Sequence, residues 1–476
     1  LPGKGKRCGK RRKYNGKDIR VQAHLKNAAA SSSVVPLVAM QCRNPLIARP
    51  FNVMDNRYLP EWLLFLLVSI LSMHAAWVLS GGNTCEFFSR AYDGLGYYQW
   101  LPAAFITGDF DLMPWVHLLK GNSGISLFTC GVAVLQLPFF LIAQLFAGVI
   151  GYPVTGYSPA HMVALMAATA TYAGLGSVLA FKLARRFSNT PAALLAVVFL
   201  YSGSNLFYYA TREPLMSHVY SFFLIALFCW CSLRIIDGPR NLHVVLILFA
   251  GALLVLVRQL NVLVFLFPLW MAWASPEGVR GAWRNLRAHR PGLAIGLLLG
   301  LVPWVLQSIY WHHITGHWYA NGYAYKGETF EWGKMVPGMV LFSPHNGWFV
   351  YSPLFFIAAG TLLVHAWRNT RPARPVLLIL VLMVLIYSAW WCWWLGGAFG
   401  YRGLIDIYGL MAIPIAWFFR SVLRSSSPLR VFAVLMLWAL VELNFGMMEL
   451  YATSWFATDL SWQRVLEGVG AIVAGN

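Results

Sequence analysis

Residues 125–150 read ISLFTCGVAVLQLPFFLIAQLFAGVI, an uncharged apolar run interrupted only by Pro138 near its middle. About 20 apolar residues span a bilayer, so this run is long enough to cross. Whether it crosses fixes the side of every loop that follows. A full crossing would put KLARR (182–186) and RNLRAHR (284–290) against the rule that short cytoplasmic loops collect Lys and Arg. Residues 125–150 are therefore expected to form a helix hairpin or an interfacial helix on the outer face.

The rest of the chain supplies the context for that choice. Of its 476 residues, 59% are hydrophobic and 11% charged, whereas a soluble domain carries about 25% charged residues. The composition predicts an all-α polytopic membrane protein. Spans are expected near 61–80, 160–183, 191–208, 218–235, 242–257, 260–274, 292–310, 351–367, 375–394, 404–422 and 429–448, eleven in all. Arg258 interrupts the apolar stretch 242–274, which reads as two short helices turning there. With a cytoplasmic N-terminus, fifteen Lys and Arg fall on inner loops and eight on outer segments, so the C-terminus is expected outside.

The net charge of +19 does not describe a nucleic-acid-binding face. Thirteen of the 36 Lys and Arg lie in residues 1–60, and most of the others flank apolar runs. Residues 1–58 are expected to be a basic, disordered N-terminal segment, with a polybasic lipid tether as the alternative; Met40 and Met54 each offer a natural start. Residues 59–450 are expected to form the membrane domain, with outer loops at 81–158 and 311–350, and 451–476 a short outer tail. The seven cysteines show no CxxC or zinc-ligand spacing, so neither a disulfide framework nor a structural metal is assigned.

The densest group of polar side chains is EFFSRAYDGLGYYQWLPAAFITGDFDLMPWVHLLK (86–120). Ionisable groups near a membrane are costly and mark sites. Asp93, beside Tyr97, reads equally well as a general base on an acceptor hydroxyl and as a helix N-cap. Asp109 and Asp111 form a DxD pair that suits either a divalent metal or a turn. Lys120 is placed to bind a phosphate or to snorkel. In the expected topology, Glu213, His218, Arg258, His345 and Arg402 fall on the same outer face. Glu213 and His218 could pair with each other or with Arg258. His345 lies in LFSPHNGWFVYSPL (341–354), a turn bounded by Pro and Gly. His312, His313 and His317 read as a wet loop more readily than as a metal site. Arg402, after Tyr401 in GGAFGYRGLIDIY, suits an anionic head group.

These segments resemble the GT-C glycosyltransferases, with lipid A aminoarabinose transferases and protein O-mannosyltransferases as the nearest named relatives. AYDGLGYYQWLPAAFITGDFDL resembles that family's first outer loop, with Asp93 in the position of the catalytic acid and GDFDL at a glycine-aspartate turn. KGNSGISLFTCGVAVLQLPFFLIAQLFAGVIG resembles its second interfacial helix pair, with Lys120 where carrier phosphate binds. TREPLMSHVYSFFLIALFCW resembles the segment carrying a second acid, here Glu213. LFSPHNGWFVYSPL and WWLGGAFGYRGLIDIYGLMAIP resemble motifs of bacterial members. Gly94 stands where the mannosyltransferases carry Glu, and Leu119 where the aminoarabinose transferases carry an acid, so neither substrate is inherited.

The resemblance implies an inverting transfer of sugar from a polyprenyl-phosphate carrier to a lipid, glycan or protein acceptor at the outer face of a bacterial inner membrane. It makes Asp93 the general base, puts Lys120, Arg402 and Arg258 at the donor phosphate, and gives Glu213, His218, His345, Tyr97 and Tyr401 supporting roles. Membrane lipids are expected partners and nucleic acid is not. No cofactor is assigned, and a divalent metal stays open. Two other classes are weighed: a transporter or flippase of lipid-linked glycan, and a non-catalytic partner in glycan assembly. The clustering of polar groups at one face, without an internal repeat, favours the enzyme.

Overall fold

Hydrocarbon offers the backbone no hydrogen-bond partners, so apolar runs of span length satisfy their amides internally as helices. A computed structural model describes residues 58–111, 113, 115–118, 124–455 and 460–474. The expected N-terminal segment, up to residue 57, lies outside the described residues. Among those described, seven helices are long and apolar enough to cross a membrane, or eight counting one bent pair. This is a helical, multi-pass membrane protein.

Among the helices are α1 (Leu59–Leu79), α2 (Thr84–Ser89), α3 (Tyr92–Tyr98), α4 (Gly131–Val149), α5 (Pro159–Phe187), α6 (Thr190–Ser202), α7 (Leu206–Thr211), α8 (Ser217–Asp237) and α9 (Asn241–Val257). They continue as α10 (Leu266–Trp273), α11 (Gly278–Ala288), α12 (Arg290–Thr315), α13 (Leu354–Trp367), α14 (Ala373–Ser388), α15 (Tyr408–Arg424), α16 (Ser427–Leu450) and α17 (Trp462–Ala474). Short 3₁₀ turns at Gln259–Phe265 and Arg402–Ile407 precede α10 and α15. Two short strands, Val116–Leu118 and Gly124–Ser126, pair antiparallel.

α5 returns antiparallel along α1. Arg185 near its end pairs with Glu61 at the start of α1 at 2.8 Å, and Gly174 sits against Phe65 and Ser69. At the other end, Ala76 shares a core cluster with Met162 and Met166. The chain therefore leaves α1 and begins α5 at the same end of the pair.

Between α1 and α5, residues 125–150 are expected to be either a hairpin or a single interfacial helix. Residues 131–149 form a single helix, with Pro138 inside it, in place of a hairpin. Proline removes one backbone hydrogen bond but does not reverse the chain here. α4 lies antiparallel to the first half of α5: Tyr172 donates to the Leu135 carbonyl at 2.9 Å, and His161 meets Gln144 at 2.7 Å.

The basic ends of the helices gather at the Glu61 face. Arg186 pairs with Asp237 at 3.0 Å, Asn285 of α11 donates to the Ile235 carbonyl, and His365 stacks on Trp417. The opposite face carries α2, α3, the α7–α8 turn and the 389–401 loop, and these position the site.

Candidate functional site

Glycine decides how the first acid is delivered. In YDGLGYY, a Cβ on Gly94 would come within 2.6 Å of Leu215 Cβ, and one on Gly96 would enter the Phe128 ring. Without side chains at both positions, α3 seats directly on the α7–α8 turn and on the segment leading into α4. Tyr92, at φ +30°, turns the chain into α3. Asp93 occupies the first helical turn, makes no side-chain cap, and points to Arg402, whose Nη2 lies 3.2 Å from its Oδ2. The capping reading of Asp93 is thereby replaced by an ion pair.

Arg402 arrives from the other side through a tight glycine turn. Gly396 and Gly400 have positive φ, and Gly400 backs onto Tyr351. Gly403 packs against the Tyr387 ring. Tyr401 is buried and donates to the Trp393 carbonyl at 2.7 Å, closing the loop instead of facing Asp93.

Glu213 lies in the α7–α8 turn and accepts from the Tyr208 hydroxyl at 3.2 Å. Burial pushes its carboxyl up to about 7, opposed by the nearby Arg402 guanidinium and reinforced by Asp93. Desolvation penalises the charged form here more than a single cation relieves it. Two carboxyls and one guanidinium thus share the site. Beside them is a cavity of about 270 Å³, lined among others by Leu79, Arg90, Tyr92, Arg212, Glu213 and Met216.

A second charge cluster lies beneath. Arg258 Nε is 2.9 Å from Asp406 Oδ2, a charge contact without the alignment of a hydrogen bond. Its two other nitrogens reach the Ser217 hydroxyl at 3.3 Å and the Tyr387 hydroxyl at 2.8 Å. Ser217 in turn donates to the Tyr97 hydroxyl at 3.1 Å, linking this cluster to α3. Burial pushes the Tyr97 hydroxyl up, opposed by Arg258, so it stays protonated at neutral pH. His218 is fully buried with Nδ1 3.1 Å from Asp406 Oδ1. Of the pairings left open for Glu213 and His218, the one with each other does not form, because the turn around Pro214 sends the two side chains to different partners.

The remaining candidates fall elsewhere. His345 packs its ring against Trp394, with centroids 5.9 Å apart, on the loop that delivers Arg402. Asp109 accepts from the Asp111 amide at 2.9 Å, which is turn geometry. No cluster of three or more metal-ligating side chains occurs among the described residues. His312 stacks on Trp318. Lys120 lies outside the described residues.

Reading the sequence for outer-face polar groups missed Asp406, Ser217 and Tyr387. The signal for Asp406 was present: a carboxylate inside GLIDIYGL needs a buried partner, and Arg258 was the one cation interrupting another apolar stretch. Comparison with known protein families finds no family model that matches this chain, and comparison with curated proteins finds no match either.

Proposed function

We propose that this protein is an inverting glycosyltransferase that moves a sugar from a polyprenyl-phosphate carrier to a hydroxyl-bearing lipid, glycan or protein acceptor at the outer face of a bacterial inner membrane. The observation that carries the reading is the Asp93–Arg402 pair. A partly exposed carboxylate is held 3.2 Å from a guanidinium, with a second carboxyl on the wall of the adjoining cavity. The likeness of the first outer loop to GT-C enzymes agrees with it.

In this mechanism Asp93 accepts the acceptor's proton as its oxygen attacks the anomeric carbon. The bond from that carbon to the phosphate oxygen breaks, and polyprenyl phosphate leaves with the electron pair. Arg402, freed from Asp93 as the carboxylate takes the proton, is placed to meet the new phosphate charge. Lys120 is assigned to the same phosphate by resemblance. Arg258 spends its nitrogens on Asp406, Ser217 and Tyr387, so it acts through its field and not by direct bonding. The proposed topology has eleven crossings, a cytoplasmic N-terminus and an outer C-terminus. It adds α6, α9, α13, α14 and the bent 259–273 segment to the span-length helices and holds α4 on the outer side.

Asp93→Asn in the folded, inserted protein is the test. Transfer from a polyprenyl-phosphate sugar is expected to fall at least ~100-fold, as for loss of a general base. Transfer at the wild-type rate would remove Asp93 from the chemistry. Flux of a lipid-linked glycan across sealed vesicles, without covalent transfer, would replace the enzyme with a transporter.

A further inference from the structure

We propose that α11 is a binding surface for anionic phospholipid head groups at the Glu61 face, opposite the candidate site. The sequence GVRGAWRNLRA has two adjacent helical stripes: Arg280, Arg284 and Arg287, and Val279, Trp283 and Leu286. The helix turns by 105° from the segment before it, so it lies across the bundle instead of continuing a span. Its protein-facing side is small and tied down: Gly281 is buried and Asn285 donates to the Ile235 carbonyl at the end of α8.

The other side is uncovered by protein. Trp283 is 53% and Val279 48% exposed, flanked by the three exposed arginines, with the Arg287 guanidinium 4.8 Å over the Trp283 ring. Only one residue, His289, separates α11 from α12, a span-length helix, and α10 ends at Trp273. Tethered so closely at both ends, α11 cannot leave the plane of the membrane surface. Exposed Trp with cationic heads at that depth fits the acyl–headgroup boundary, and the charge selects an anionic lipid. From 277 to 290 there are four arginines against the single Glu277, which Arg284 engages at 2.5 Å. A soluble acidic protein or a nucleic acid would have to approach past the head groups to reach Trp283.

The experiment uses the full chain in bilayers of phosphatidylcholine with trace spin-labelled phosphatidylglycerol or phosphatidylcholine. Each basic residue near an anionic surface contributes roughly a fivefold preference. Wild type is expected to retain the labelled phosphatidylglycerol at least ~5-fold over phosphatidylcholine. The preference should fall toward one in the Arg280→Gln/Arg284→Gln/Arg287→Gln variant and survive in the matching Arg→Lys variant, which also checks folding. Arg368→Gln/Arg371→Gln/Arg374→Gln, on the same face but off α11, should keep most of it. Unchanged selectivity in the α11 Gln variant overturns the proposal. So does α11-dependent heparin binding without any lipid selectivity, which would assign the helix to a soluble polyanionic partner. Neither result depends on glycosyl transfer.

Discussion

Asp406 is fully buried and meets Arg258 at 2.9 Å and His218 at 3.1 Å. Removing one partner of a buried pair leaves an uncompensated charge and costs about 3–5 kcal/mol, whereas replacing both with apolar side chains is often neutral. Asp406→Leu is therefore expected to lower the thermal unfolding midpoint in detergent sharply. Adding Arg258→Met to it should recover a large part of the loss; equal melting of the single and double variants would deny that the pair is coupled. Glu213 gives a second readout. Its carboxyl rises from an ordinary value near 4.5 to about 7, so the folded protein holds a proton that the unfolded chain has released. Its stabilising contribution is complete below about pH 4.5 and is lost as pH rises through 7. Glu213→Gln should remove this downward slope from the unfolding midpoint across that window, and an identical slope in the variant would contradict the shift. Asp93, Glu213 and Arg402 were legible in the sequence because each is a charge flanked by turn-forming residues at the end of an apolar run. Asp406 carried a signal too, a carboxylate inside an apolar run, but which residue pairs with it did not show, because Arg258 belongs to a distant element.

At the scale of elements, the glycines of α3 control the position of Asp93. Gly94 has Leu215 Cβ and backbone atoms in the space a side chain would need, and backbone cannot yield as a flexible side chain can. Gly94→Ala should cost about 1–3 kcal/mol as overpacking and reduce transfer by displacing Asp93 from Arg402. A variant that melts and transfers like wild type would show that α3 is free to shift. The sequence displayed these glycines beside Asp93, but not what they approach, since Leu215 and Phe128 belong to other elements. For α4 the sequence left two forms open, a hairpin and a single interfacial helix. Pro138 did not decide between them, because proline in an apolar helix forfeits one hydrogen bond and is tolerated where neighbouring helices support the backbone. α5 supplies that support along Tyr172 and His161.

For the whole molecule, the decisive quantity is parity: how many times the chain crosses between α1 and α5. Charge placement argued for no net crossing, and the antiparallel α1–α5 pair, fixed by Glu61 and Arg185 at one end, gives the same parity if both helices span the membrane. The expected topology rests on basic loops that each carry their own signal, summed over the chain. The depth of α4 has no such signal, since apolar residues read alike wherever they sit. A labelling experiment joins the two lines. Cys85 is exposed just after α1, Thr155 is exposed between α4 and α5, and Ala288 is exposed at the end of α11. With the other native cysteines replaced, Cys85 and Thr155→Cys should both react with a membrane-impermeant maleimide in intact cells. Ala288→Cys should react only after the membrane is opened. Protection of Thr155→Cys in intact cells, with Ala288→Cys now reacting there, would make α4 a net crossing. The Glu61 and Arg185 ends would then lie on opposite sides of the bilayer, which an ion pair at 2.8 Å forbids.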